Sequence, residues 1–341
     1  MFSRLFRKEP AQPAGPPPFD TNPALDDHAL RDAMARVDTG DWTAARDVVA
    51  AAGNNWELRG RRRTLLAGRA TENESWLYAW LRAAPDDPDA VLMQALLLNM
   101  RAGEARGSAP AAQTSREQFQ AFAALSDAAA QVSRRAIALA GPDDPGPWIE
   151  LLDSMFADGR GDSQEFAETL AEARRRDPFN FDLNVTLVSI YCQKWYGSHE
   201  QMFSVARQVS AAAPPGATAV MMPFLAHFEY AMREFSWNKA TAQSLADVAM
   251  YFQRPEVQAE LDACTAKWRA GAHTHGPGRP MTMRNWLALY YFLSNRPAEG
   301  RAVFAEIGPY MGGTFAWEYF LGPAENGFTL AWRFCHKASP A

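Results

Sequence analysis

The sequence predicts an all-α chain: an α-solenoid of stacked helical hairpins followed by a less regular helical C-terminal part. Three observations carry this reading. Pro142, Pro178 and Pro214 stand at equal 36-residue intervals. The residues between them keep step: Trp148, Leu151, Leu152, Met155, Phe166, Leu170 and Ala173 in one copy align with Asn184, Leu187, Val188, Tyr191, Met202, Ala206 and Val209 in the next. Spacings of three and four place each set on one face of a 3.6-residue helix. A single hairpin cannot bury such a stripe, so neighbours must share a core.

Taken in order, residues 1–23 read as a disordered, proline-rich tail, with six prolines between positions 9 and 23. Residues 1–8 mix large apolar and basic side chains, a composition suited to weak docking on a partner or an anionic membrane surface. Residues 24–216 read as hairpins. The first spans 26–52, with Leu30, Ala33, Met34 and Val37 on one stripe, Gly40-Asp41 at the turn, and Val48, Val49 and Ala52 on the second stripe. A basic helix follows over 56–68, and Asn73 is placed to cap the next, which carries Trp76, Leu77, Trp80 and Leu81. Asp87-Pro88 opens another helix with a cap and then proline at the first position; its stripe holds Val91, Leu92, Ala95 and Leu96. Residues 103–114, rich in Gly, Ala, Ser and Pro, read as a mobile loop before a long helix over 115–140.

Within the two copies, Gly159-Arg160-Gly161 breaks the first helix. Asp162 and Ser198 stand as N-caps, each with Glu165 or Gln201 three residues on. Asp177-Pro178 stops the following helix, because proline lacks the amide and disfavours helix before it. Residues 217–341 lose the equal spacing but continue as helices. Their stripes are Phe224, Phe228, Ala231 and Phe235; Leu245, Val248, Ala249 and Phe252; and Val257, Leu261, Cys264 and Trp268. Thr282 is placed to cap a helix carrying Trp286, Leu287, Tyr290 and Leu293, and Pro297 begins a short one. The aromatic tail, with Phe315, Trp317, Tyr319, Phe320, Phe328, Trp332 and Phe334, reads as an end cap.

The spacing Trp148–Leu151–Met155, then Phe166–Leu170–Ala173–Pro178, resembles the tetratricopeptide repeat, and Gly-Asp-Trp-Thr-Ala-Ala-Arg at 40–46 resembles the start of that repeat's second helix. The turn is two residues longer than the family norm, and Leu152 and Val188 stand where the family carries a small residue. The tract from Lys194 to Glu200 resembles one in an uncharacterised family of bacterial helical-repeat proteins. The resemblance implies that the first helix of each pair lines a concave surface, which places Glu150, Asp153, Thr186, Ser189 and Gln193 on it.

Hydrophobic residues make up 48% of the chain, including 11 Trp and 20 Phe, enough for an ample core. A net charge of −5 argues against a general nucleic-acid binder, which needs a clustered excess of Lys and Arg. The runs Arg61-Arg62-Arg63 and Arg174-Arg175-Arg176 read as solvated faces near helix ends. Three scattered cysteines, Cys192, Cys264 and Cys335, form no ligand pair or disulfide framework and read as buried thiols of a reducing compartment. No signal segment or membrane-length apolar run is present in this sequence, and the expectation is a cytoplasmic protein.

Phosphate loops, nucleophile elbows and dinucleotide fingerprints are absent from the sequence. His199-Glu200 lacks a second histidine four positions on, where Phe203 stands, so no zinc-protease motif forms. No cofactor and no metal site is expected. The leading expectation is a non-enzymatic scaffold or adaptor that binds another protein. To the concave-surface residues it adds the turn cluster Lys194, Trp195, Tyr196 and His199, since tryptophan and tyrosine often carry interface energy. The alternative is an enzyme or small-ligand receptor with a pocket in the C-terminal region, using His227, Glu229, His273, His275 or His336.

Overall fold

The computed structural model describes residues 18–107, 113–157, 163–195, 197–237, 241–271, 276–312 and 314–337. Among these residues the chain forms seventeen α-helices and no strand, so the all-α expectation holds. They are α1 (His28–Asp38), α2 (Trp42–Ala50), α3 (Trp56–Glu72), α4 (Ser75–Ala83), α5 (Pro88–Arg106), α6 (Arg116–Leu139), α7 (Gly146–Ala157), α8 (Gln164–Arg176), α9 (Phe181–Ile190), α10 (His199–Ala212), α11 (Met222–Ala231), α12 (Ala242–Phe252), α13 (Pro255–Arg269), α14 (Arg279–Leu293), α15 (Pro297–Ile307), α16 (Thr314–Leu321) and α17 (Ala324–His336).

Side chains written into the turns start most of the early helices. Asp27, Asp41, Asn55 and Asp87 each accept a backbone N–H of the first turn of α1, α2, α3 and α5. Such caps satisfy donors that have no partner inside the helix. Ser115 and Gln118 form a reciprocal capping box on α6. Asn180 and Ser198 cap α9 and α10. Asp162, expected to cap α8, lies outside the described residues, as does the Gly159–Gly161 break. The side chain that caps α8 is Ser163, which accepts from the Phe166 amide at 3.1 Å. Glu165 therefore sits one position earlier in the helix than a capping box needs, and it pairs instead with Arg134. Similarly, α14 begins at Arg279, which puts Thr282 inside the helix rather than at its cap.

The chain divides into two compact units. The larger holds residues 26–230 and 260–280. In it, α1 packs on α2, α7 on α8 and α9 on α10, while α1, α3, α5 and α7 each pack on the next odd-numbered helix. α3 also meets α9, so α3, α5, α7 and α9 close into a ring. The core of the two sequence copies is one cluster: Leu151, Leu152, Met155, Phe166, Ala173, Leu183 and Leu187 are buried together, with Trp148, Leu170 and Tyr191 packed against them. Arg176 lies over the Trp148 ring at 3.4 Å, so this arginine of the basic run packs on the core rim while Arg175 faces solvent.

The other basic run overturns its expectation. Arg61, Arg62 and Arg63 are all buried, at 5%, 6% and 2% exposure. Arg62 donates to Asp27 and to the Val48 carbonyl, and Arg63 sits between Asp89 and Asp144. Buried guanidinium groups persist only when paired and hydrogen-bonded. The acids that pair them come from distant turns, and no local pattern marks them.

The smaller unit comprises the described residues of 1–25, 231–259 and 281–341. The linker expected through Pro23 ends earlier. Asp20 donates its amide to the Pro309 carbonyl at 2.7 Å and accepts from Met311 at 2.9 Å, while Phe19 meets the Phe328 ring edge-on at 4.6 Å. Trp317, Phe320 and Phe328 of the aromatic tail are buried, and Trp332 and Phe334 are half-buried. No described helix is long and apolar enough to cross a membrane.

Candidate functional site

The helices α3, α5, α7 and α9 border a cavity of about 580 Å³ in the larger unit, which α6 and the turn after α9 also line. That size lies within the range of clefts that hold small ligands or short peptide segments. Trp56, Leu92, Leu96, Met100, Phe122, Ile149, Val185 and Trp195 give it an apolar, aromatic wall. Gly60, Gly103 and Gly146 belong to the same lining. A Cβ on Gly60 would meet the Asp182 carboxylate at 3.3 Å, so α3 and α9 approach closely there because position 60 is bare.

The polar part is built from three helices. Glu150 on α7 is 4% exposed and accepts a hydrogen bond from the Asn99 amide of α5; that amide also reaches the Ser154 hydroxyl at 3.0 Å. Asp153, one turn on along α7, accepts from the Thr186 hydroxyl of α9 at 2.7 Å. Burial and the neighbouring Asp153 push the Glu150 carboxyl well above its usual range. Burial, reinforced by the charge of Asp182, raises Asp153 to about 6. Among the described residues no lysine or arginine pairs with either carboxyl, whereas Asp182 is held by Arg279 and Arg63 by Asp89 and Asp144. Arg106 lies 5.5 Å from the Trp195 ring.

Of the residues singled out by sequence, Glu150, Asp153, Thr186 and Trp195 line this one cavity. Ser189 is half-buried and Gln193 exposed, and neither belongs to the lining. Lys194 pairs with Glu229 at 2.8 Å, and His199 meets Tyr230 edge-on at 4.7 Å. Tyr196 lies outside the described residues, as do His273, His275 and the docking segment 1–8. His227 and Glu229 do not act as a pair: His227 faces Glu260 at 3.3 Å, while Glu229 takes Lys194. Burial keeps His227 below the ordinary histidine range, and the flanking Arg207 and His227 hold Glu260 at about 2. His336 stacks on Trp332 at 3.9 Å, with Nδ1 2.8 Å from that residue's carbonyl oxygen.

Sequence reasoning missed Asn99, Trp56, Phe122 and Asp182. Asn99 left a signal, since it is the lone amide in the apolar run Leu96–Met100 and a buried amide demands partners. Among the described residues there is no group of three or more His, Cys, Asp or Glu side chains arranged to hold a metal ion. No protein-family model, curated protein or solved structure matches the chain.

Proposed function

We propose that the protein is a non-enzymatic binding module, a solenoid of tetratricopeptide-like hairpins that receives a segment of a partner protein on its inner helices. The observation that carries this reading is the convergence of Glu150, Asp153, Thr186 and Trp195, from two helices and a turn, on one aromatic-walled cavity. The succession of odd-numbered helices supports the solenoid, because stacked hairpins put the first helix of each pair on one continuous surface. Its polar groups are acids and amides joined by hydrogen bonds, an arrangement that orients a bound group.

Affinity capture with the full chain tests the reading. The E150K/D153K variant is expected to lose a partner that the wild type retains in near-equal amount, while its helical circular dichroism stays that of the folded protein. Equal capture by both folded proteins contradicts the proposal. Because lysine at position 150 enters a buried site, D153K alone serves as the comparison if the double variant melts early.

A further inference from the structure

The occupant of the cavity has a chemistry that its charge arrangement dictates. Four acidic side chains sit in or against the lining: Asp144, Glu150, Asp153 and Asp182. Asp144 and Asp89 are balanced by Arg63 and Arg59, and Asp182 by Arg279. That leaves Glu150 and Asp153, one helical turn apart on α7, with no ion pair to a lysine or arginine among the described residues, although Arg63 and Arg106 line the same cavity. Trp56, Phe122 and Trp195 line the same cavity; the rings of Trp56 and Trp195 already carry the guanidinium groups of Arg59 and Arg106 at 5.5 Å, so cation–ring contact is in use at this site. We propose that this site takes an organic cation, a guanidinium or ammonium on an apolar stem, presented as an arginine or lysine side chain of the partner segment. The inference rests on the binding role proposed above.

The physical logic is that of an acidic pair without an ion-pairing partner of its own. Burial and mutual repulsion make both carboxyls hold their protons more tightly than ordinary carboxyls do, Asp153 up to about pH 6. An entering cation supplies the missing charge, and the carboxyls release protons as it binds. The Asn99 amide and the Thr186 hydroxyl already orient one oxygen of each carboxyl. The remaining charged groups in the lining are Arg63 on α3, Arg106 on α5 and Asp182 on α9, each with contacts of its own: Arg63 with Asp89 and Asp144, Asp182 with Arg279, and Arg106 with the Gly107 carbonyl and the Trp195 ring. A bare metal ion is the poorer fit, since two carboxyls do not complete a ligand set.

Isothermal titration calorimetry of the full chain at pH 6 and pH 8 tests this with three probes: an end-blocked pentapeptide with a central arginine, the same peptide with norleucine in its place, and the free amine agmatine. The expected result is binding of the arginine peptide and agmatine, tighter at pH 8 with measurable proton release, and weakened by about tenfold or more in E150Q/D153N. The amide replacements keep size and shape; if the double variant does not fold, the single variants E150Q and D153N carry the comparison. Agmatine binding without peptide binding upholds the cation assignment and overturns the partner-protein reading. Equal binding of the arginine and norleucine peptides overturns the cation assignment and leaves the partner reading standing. No binding of any probe at millimolar concentration, or undiminished binding by the folded amide variants, overturns the cation assignment.

Discussion

Replacing Arg63 with methionine is expected to destabilise the larger unit by about 3–5 kcal/mol, because it removes one side of a buried ion cluster and leaves the other in place. Arg63 is 2% exposed. Its Nε reaches Asp89 at 2.7 Å and its guanidinium grips both oxygens of Asp144, at 3.1 and 2.7 Å. Arg59 shares Asp89 at 2.6 Å but does not reach Asp144 in this arrangement. Without Arg63, Asp144 is a buried carboxylate with no counter-charge beside the start of α7, the helix that carries Glu150 and Asp153. Denaturant melts of R63M against wild type measure the loss. R175M, at an arginine on the solvated face of α8, is expected to change stability by no more than about 0.5 kcal/mol. The triple variant R63M/D89N/D144N is expected to recover part of the loss, since apolar or neutral replacements of a whole buried cluster are often tolerated. Equal, small losses in R63M and R175M would show that the cluster is not buried.

Stability is expected to fall as pH rises from 5 to 8, the reverse of the usual behaviour of a protein rich in exposed ion pairs. Burial raises Glu57 to about 8, although Arg279 stands 3.9 Å away and the Thr218 hydroxyl donates to it at 2.6 Å. Asp153 is raised to about 6, and Glu150 is raised as well. In each case the folded protein binds its proton more tightly than the unfolded chain. The slope of stability against pH is therefore negative between the ordinary carboxyl range near 4 and the raised values. Each tenfold gain in proton affinity is worth about 1.4 kcal/mol of stability that disappears once the group ionises in the native state. His227 acts in the opposite sense below pH 6.5, because burial favours its neutral form, and Glu260 contributes its loss only under acid conditions. Thermal melts from pH 5 to pH 8 check the balance. Wild type should lose melting temperature across the range, and E57Q and E150Q/D153N should each flatten the slope. A melting temperature that climbs to pH 8 and is indifferent to E57Q would contradict the burial of these acids.

Much of the helical layout was legible because its signals are local. The long helix over 115–140 is α6. Asp87-Pro88 combines a cap with the periodicity that follows, and α5 starts where it says. Ser198 caps α10 for the same reason. The cap of α8 is Ser163, one residue beyond the Asp162 that the repeat register pointed to. The apolar register of 148–173 also reads through to one buried cluster, which Leu187 and Tyr191 of the next segment join, because three- and four-residue spacings translate directly into a helix face.

What the sequence hid depends on long-range pairing. Three consecutive arginines on α3 are buried, and two of them are paired by acids from other turns, Arg62 by Asp27 and Arg63 by Asp89 and Asp144. The cavity itself requires α3 to meet α9, a contact between segments more than a hundred residues apart. Glu150, Asp153 and Thr186 were placed by analogy with a repeat, and Trp195 by its cluster of aromatic and charged residues in a turn. Their convergence, and the part of Asn99, Trp56 and Phe122, follow only from closing the ring. His227 and Glu229 are the converse case: closeness in sequence joined two side chains that leave adjacent helix positions in different directions, one to Glu260 and the other to Lys194.

Photo-crosslinking from inside the cavity tests the central claim most directly. Benzoylphenylalanine in place of Leu96, which lines the cavity, is compared with the same residue in place of the exposed Met250. The binding-module account predicts a discrete crosslinked product from position 96, absent from position 250 and lost when E150K/D153K is added. Crosslinking from position 250 but not from 96, or a product from 96 that survives the charge reversal in a folded protein, would contradict it.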